Sequence, residues 1–188
     1  RMNRARVQHY AKDKRVLDLF SYIGGWGLEA ATAGASEVFC VDASEQALDW
    51  LDNSAALNKF NNITSIQGNV FDVLKHLRNE REKFDIVIVD PPAFIKRKKD
   101  FKEGLTAYRR VNQMAMQLCT RDAILVSASC SHHLPVETLV QQVQSSARHL
   151  DRFAQLLEPG HQGPDHPVHP AIPETAYIKS FISRVTPV

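Results

Sequence analysis

Five short apolar runs recur along the chain, at residues 15–20, 37–41, 63–67, 84–89 and 123–128, and each is followed by a stretch of helical periodicity. A strand that is apolar along its length must be covered on both faces, and helices packed above and below a mostly parallel sheet provide that cover. Residues 153–157 and 177–185 read as last strands. The expectation is a doubly wound α/β fold with a mostly parallel, seven-stranded, Rossmann-like sheet. Helices are expected from Gly24 to about Ala33, from an N-cap at Ser44 to about Asn58, and over 70–78, 104–118 and 135–150.

The 188 residues suit one domain. No apolar stretch reaches the roughly 20 residues of a membrane span, and the N-terminus is basic without an apolar signal segment. Three cysteines without Cys-x-x-Cys spacing suggest no disulfide framework, and a reducing cytoplasm is the expected setting. The net charge of +2 is segregated: residues 1–15 and 94–110 each carry +5, which leaves −8 on the rest. Two basic segments on an acidic body point to a polyanionic partner, with solvated surface lysines as the alternative.

Open α/β sheets place their chemistry at the carboxyl ends of the strands. The first strand contains Asp18 and leads through Tyr22 to Gly24, Gly25 and Gly27. The pattern Gly25-x-Gly27-x-x-Ala30 with Asp42 satisfies a dinucleotide fingerprint, so a NAD(P)-binding oxidoreductase is a rival reading. A carboxylate at Asp18 would repel a pyrophosphate, however, and suits an ammonium group. With Asp42 on a ribose diol and Asn69 on an adenine edge, the set describes S-adenosylmethionine. The glycine backbone would pass close to its methionine portion. Asp18 and Asp42 also have bland readings, as a turn-capping acid and a helix-start acid.

The fourth strand ends in Asp90-Pro91-Pro92, and Cys130 follows the fifth within Ser129-Cys130-Ser131-His132-His133. If these strands are neighbours, acid and thiol share one rim. A thiolate adding to carbon-6 of a cytosine makes carbon-5 nucleophilic enough to accept a methyl group. Asp90 would hold the base, and His132, His133 or the basic-loop lysines would depress the thiol pKa. Cys40 and Cys119 sit inside apolar segments and read as small buried hydrophobes. The histidines show no paired metal-ligand spacing. Lys96, Arg97, Lys98 and Lys99 would track phosphates, while Phe94 reads equally as a base-stacking or an interior ring.

Taken together, Leu17-Asp18-Leu19-Phe20-Ser21-Tyr22-Ile23-Gly24-Gly25, Val41-Asp42, Asp90-Pro91-Pro92-Ala93-Phe94, Ser129-Cys130-Ser131-His132-His133, Asp165-His166-Pro167-Val168, Pro173-Glu174 and Tyr177-Ile178-Lys179 resemble the bacterial 23S ribosomal RNA cytosine-5 methyltransferases. The resemblance runs from about Arg15 to the C-terminus. It implies a class I methyltransferase fold, S-adenosylmethionine as donor with S-adenosylhomocysteine as product, ribosomal RNA as substrate and Cys130 as nucleophile. The implied donor site comprises Asp18, Tyr22, Gly24, Gly25, Gly27, Asp42, Ala43, Asn69, Val70, Asp90 and Pro91, with Pro92, Phe94 and residues 96–99 toward RNA. Residues 1–14 read as a basic connecting segment and 15–188 as the methyltransferase domain, a C-terminal piece of a longer chain whose relatives carry an RNA-binding PUA-type domain ahead of it. Relatives acting on exocyclic nitrogens share the fold and the acid-Pro-Pro turn but need no cysteine. Asn69 departs from the family's usual acid, Arg121-Asp122 from a glycine pair, and Ile23 from a small polar residue. Oligomeric state, a homodimer included, stays open.

Overall fold

In a computed structural model describing residues 1–188, the chain runs through α1 (Met2–Ala5), α2 (Gln8–Ala11), β1 (Arg15–Leu19), α3 (Gly27–Thr32), β2 (Glu37–Asp42), α4 (Glu45–Leu57), β3 (Ile63–Gln67) and α5 (Val70–Asn79). It continues with β4 (Phe84–Val89), α6 (Phe101–Gln117), β5 (Cys119–Ser129), α7 (Val136–His149), β6 (Arg152–Gly160) and β7 (Lys179–Pro187). The strands form one seven-stranded sheet in the order β3-β2-β1-β4-β5-β7-β6. Its first five strands pair in parallel, and β7 is antiparallel to both β5 and β6. No helix is long and apolar enough to cross a membrane.

Strand residues alternate between two core layers, as the pleat requires. Leu17, Leu19, Val87 and Val89 pack under α5, α6 and α7, whereas Val16, Ile86 and Ile88 pack under α2, α3 and α4. Each apolar run is therefore buried from both sides. The chain winds outward from β1 to β3, returns to β4 beside β1, and proceeds the other way. This reversal between β1 and β4 leaves a crevice at their carboxyl ends.

Several boundaries differ from the sequence expectation. Helix α3 begins at Gly27, because Gly24 at φ 77° closes a turn in which its N–H donates to Ser21 O at 2.8 Å. Strand β5 begins at Cys119 and absorbs Arg121-Asp122. There Asp122 accepts both a 2.8 Å and a 2.7 Å hydrogen bond from the Arg184 guanidinium of β7, so a charge clamp ties the start of β5 to β7. The segment 1–14 packs onto the rest of the fold. Val7 and Ala11 are fully buried against Trp26, Ala30 and Val38, and Glu158 of β6 accepts hydrogen bonds from Arg6 and Tyr10. Periodicity gave no sign of this because each helix has only four residues.

Candidate active site

A cavity of about 1000 Å³ opens in the crevice at the carboxyl ends of the central strands. Of the residues singled out in the sequence, Tyr22, Asp42, Ala43, Asn69, Val70, Asp90, Pro91, Pro92, Phe94 and Cys130 line it. Asp18, Gly24, Gly25 and Gly27 lie behind the wall, and Lys96, Arg97, Lys98 and Lys99 lie outside it on the loop before α6.

The glycines serve close packing more than open approach to a ligand. A Cβ on Gly24 would fall 2.1 Å from Leu51 Cδ1, and one on Gly27 would fall 2.5 Å from Cys40 Sγ. Helix α4 and strand β2 therefore need glycine at these two positions to reach the turn. Asp18 is fully buried beneath that turn, and its Oδ2 accepts the Gly27 N–H at 2.9 Å. Its Oδ1 has no partner. Burial pushes the Asp18 carboxyl up to about 8, against the opposing pull of the Gly27 N–H; the Asp90 and Asp42 charges add to the rise, and Arg4 works against it.

Asp42, at the end of β2, accepts the Tyr22 N–H on Oδ2 at 2.8 Å and the Ser44 N–H on Oδ1 at 2.9 Å. It thus ties the glycine turn to the start of α4. Each oxygen keeps a second lone pair, so capping and diol recognition are compatible. Asn69 caps α5, with Oδ1 accepting the Phe71 N–H at 2.9 Å. That uses one of the two lone pairs of the oxygen expected to accept from an adenine amino group, and the side-chain NH2 is also available for a ligand.

The acid-Pro-Pro turn and the cysteine come together as expected, since β4 and β5 are parallel neighbours with Val89 opposite Ser127. Asp90 Oδ2 accepts a 2.8 Å hydrogen bond from the Trp26 indole, a side chain only 4% exposed. Cys130 is exposed to the cavity, whereas Cys40 and Cys119 are buried in the core. The serines flanking Cys130 are structural. Ser129 Oγ lies 2.7 Å from the buried Tyr108 hydroxyl and accepts the Ser131 N–H at 3.0 Å, and Ser131 Oγ donates to the Ile95 carbonyl.

The thiol is not acidified in the way expected. Partial burial, followed by the Asp90 charge, raises its pKa; the N–H groups of Cys130 itself and Ala93, and the Lys179 ammonium, oppose the rise. The expected histidines are not among the groups that govern that balance. His132 and His133 lie edge to face with each other, their ring centroids 5.1 Å apart. The cation near the thiol is Lys179, which is 5% exposed and donates to the carbonyls of Ser131 and Leu134 at 2.6 and 2.8 Å. Burial lowers its own pKa.

Phe94 packs edge to face on Phe20 and Tyr108, with centroids 6.1 and 4.9 Å apart, so its main role is interior. Beyond it, Arg97 pairs with Asp100 while Lys96, Lys98 and Lys99 are exposed. Sequence reading assigned no role to Arg4, Trp26, Tyr108 or Lys179. Lys179 stood inside a recognised motif, but only β7 running beside β5 brings it to the Cys130 loop.

The fold and the crevice site define the class: a doubly wound sheet of the class I methyltransferase type, with a cavity at its switch point. The structure of SMU.776, a putative methyltransferase complexed with SAH, superposes with a TM-score of 0.85 at 22% identity, covering 97% of this chain and 48% of the other. The chain belongs to the family described as Conserved hypothetical protein 95, whose sequence model matches residues 5–148. It is 36% identical over 187 residues to ribosomal RNA large subunit methyltransferase I of Enterobacter sp. (strain 638), and 38% identical over 187 residues to the protein of that name from Tolumonas auensis. Each alignment covers 98% of this chain and 47% of the relative, so the chain spans about half the length of these proteins.

Proposed function

We propose that this domain transfers a methyl group from S-adenosylmethionine to carbon-5 of a cytosine in ribosomal RNA, with Cys130 as the nucleophile. The observation that carries this reading is the convergence of Asp90 and Cys130, from the tips of adjacent parallel strands, on one large cavity. The names of the relatives support the methyl-transfer and ribosomal RNA parts. The cavity fits the donor: its volume is at the upper end for small-molecule sites, and the orphaned, buried Oδ1 of Asp18 is an acceptor without a donor. Asp18, Asp42 and Asn69 would hold the ammonium, the ribose diol and the adenine edge.

When bound, S-adenosylmethionine supplies an electrophilic methyl group. The chain's own part begins with the base, which must leave its stack to enter the cavity. Asp90, its Oδ2 held by Trp26, accepts a hydrogen bond from the cytosine amino group and orients the ring. The Cys130 thiol loses its proton to solvent, and the thiolate bonds to carbon-6. The electron pair of the C5–C6 double bond moves to carbon-5, which takes the methyl group. Loss of the carbon-5 proton to solvent restores the double bond as the C6–S bond breaks and the thiolate departs.

The test is Cys130→Ala. Methylation of ribosomal RNA by the variant should fall below detection while S-adenosylhomocysteine binding stays within twofold. RNA bearing 5-fluorocytosine at the target should become covalently attached to the wild-type chain only when the donor is present, because fluorine does not leave as a proton does. Full activity in the Cys130→Ala protein would sink the carbon-5 assignment and favour transfer to an exocyclic nitrogen.

A further inference from the structure

We propose that Arg4 receives the carboxylate of the donor's amino-acid end while Asp18 takes its ammonium, so that the N-terminal segment forms one wall of the donor site. The inference rests on the methyl-donor reading of the cavity. It starts from the glycine turn, where Gly25 faces the side chain of Arg4 in α1. A Cβ on Gly25 would fall 2.6 Å from Arg4 Nη1, 2.9 Å from Cζ and 3.1 Å from Nε. The guanidinium therefore lies directly against the turn, and glycine is what lets it approach. Arg4 lines the cavity, whereas Gly25 behind it does not.

The guanidinium has no acceptor. Arg6, Arg15, Arg97 and Arg184 are each paired with a carboxylate, but the Arg4 side chain makes no hydrogen bond or ion pair. It is nonetheless held in place by its neighbours in sequence. The Asn3 side chain donates to the His161 carbonyl at 2.9 Å, Arg6 is bonded to Glu158, and Val7 is fully buried. Lys179 is committed to two carbonyls, and of the two arginines that line the cavity, Arg1 and Arg4, it is Arg4 whose fork is set against the glycine turn.

What approaches Arg4 must also tolerate the acids around it. Its positive charge reaches Asp18, whose carboxyl it acidifies, and Asp18 in turn feels Asp90 and Asp42. Asp42 and Asp90 line the same cavity as Arg4, and their charges would repel an RNA phosphate. A zwitterion suits the site instead: an α-amino acid carries a carboxylate and an ammonium on one carbon, and the site offers a planar two-donor fork beside a buried, unpartnered carboxylate oxygen. The glycine turn alone supplies the carboxylate with little, because α3 is a single short helix of six residues.

Calorimetry on the full 188-residue chain with two ligands tests this. S-Adenosylhomocysteine carries the amino-acid end; 5′-methylthioadenosine has the same nucleoside without it. Arg4→Ala should weaken S-adenosylhomocysteine at least about tenfold, the scale of hydrogen bonds to a charged group, and leave methylthioadenosine within twofold. Arg4→Lys, which keeps the charge but not the fork, should fall between. Unchanged S-adenosylhomocysteine affinity in Arg4→Ala would overturn the proposal. Equal losses for both ligands would also overturn it, since Arg4 would then shape the site rather than meet a carboxylate. If the wild-type chain bound neither ligand, the methyl-donor reading itself would fall, and that outcome is distinct from the other two.

Discussion

The Trp26 indole N–H donates a 2.8 Å hydrogen bond to Asp90 Oδ2, and so joins the glycine turn after β1 to the acid-Pro-Pro turn after β4. These turns flank the switch point, and the bond fixes the carboxylate that faces Cys130 across the cavity. One oxygen of Asp90 is thereby occupied, and the other is left for a substrate. Trp26→Phe keeps most of the buried ring but frees the acid to rotate. Methyl transfer should fall roughly tenfold, the worth of one hydrogen bond to a charged acceptor, while S-adenosylhomocysteine affinity changes by less than about twofold. Single-turnover rates and calorimetry separate the two effects. An unchanged rate would mean that Asp90 is held by other contacts.

Burial first and the Asp90 charge second raise the pKa of the Cys130 thiol, and the Lys179 ammonium opposes them. Cys40 and Cys119 are buried, so iodoacetamide should modify Cys130 first in the native protein. The pH midpoint of that reaction should lie above the roughly 8.5 of a free cysteine. Asp90→Asn removes a negative charge and should move the midpoint down, even as methylation is lost. Lys179→Met removes the opposing cation and should move it up. Midpoints that do not respond to either change would show that burial alone governs the thiol.

Asp18 makes the ligand-free fold sensitive to pH. Its folded-state pKa of about 8 lies above that of an exposed aspartate, near 3.9, because burial disfavours the charge. The protonated acid is therefore favoured by folding. Its contribution to stability is fully present below the unfolded pKa and is lost as pH rises through the folded one. Thermal melts between pH 4 and 8 should show wild type losing more stability toward high pH than Asp18→Asn, with the difference confined to that window. Parallel melting curves for the two proteins would place the charge elsewhere.

The exposed lysines of the loop leaving Pro92 should act on RNA through charge alone. Replacing Lys96, Lys98 and Lys99 together with Ala should flatten the logarithmic dependence of RNA affinity on salt by about two, at roughly 0.7–0.9 per phosphate contact. Adding Arg97→Ala should change little more, since Arg97 is already paired with Asp100. A salt slope equal to that of wild type would return these residues to the solvated surface.

The sequence by itself determined the sheet and the placing of chemistry on it. Runs such as Ile86-Val87-Ile88-Val89 have no polar face to turn to water, so they must be central strands, and the Asp90 and Cys130 that follow must stand at strand tips. Capping was legible at Ser44, which precedes α4 and accepts an N–H from its first turn, whereas the capping role of Asn69 on α5 emerged only in the structure. Tertiary structure alone decided which groups complete the site. Trp26 reaches Asp90 across 64 positions in the chain, and Lys179 reaches the Ser131 carbonyl across 48. No local pattern encodes either contact, because side chains so far apart in sequence meet only once the sheet is ordered. The same holds for the thiol, whose acidity was expected from the adjacent histidines but is governed by its burial and by Asp90 at the tip of one neighbouring strand, with the Lys179 ammonium of the other opposing. It holds too for Arg4, which belongs to a segment too short to show a helical period and gains its place at the glycine turn through the anchoring of Asn3 on His161 and of Arg6 on Glu158, both distant in sequence.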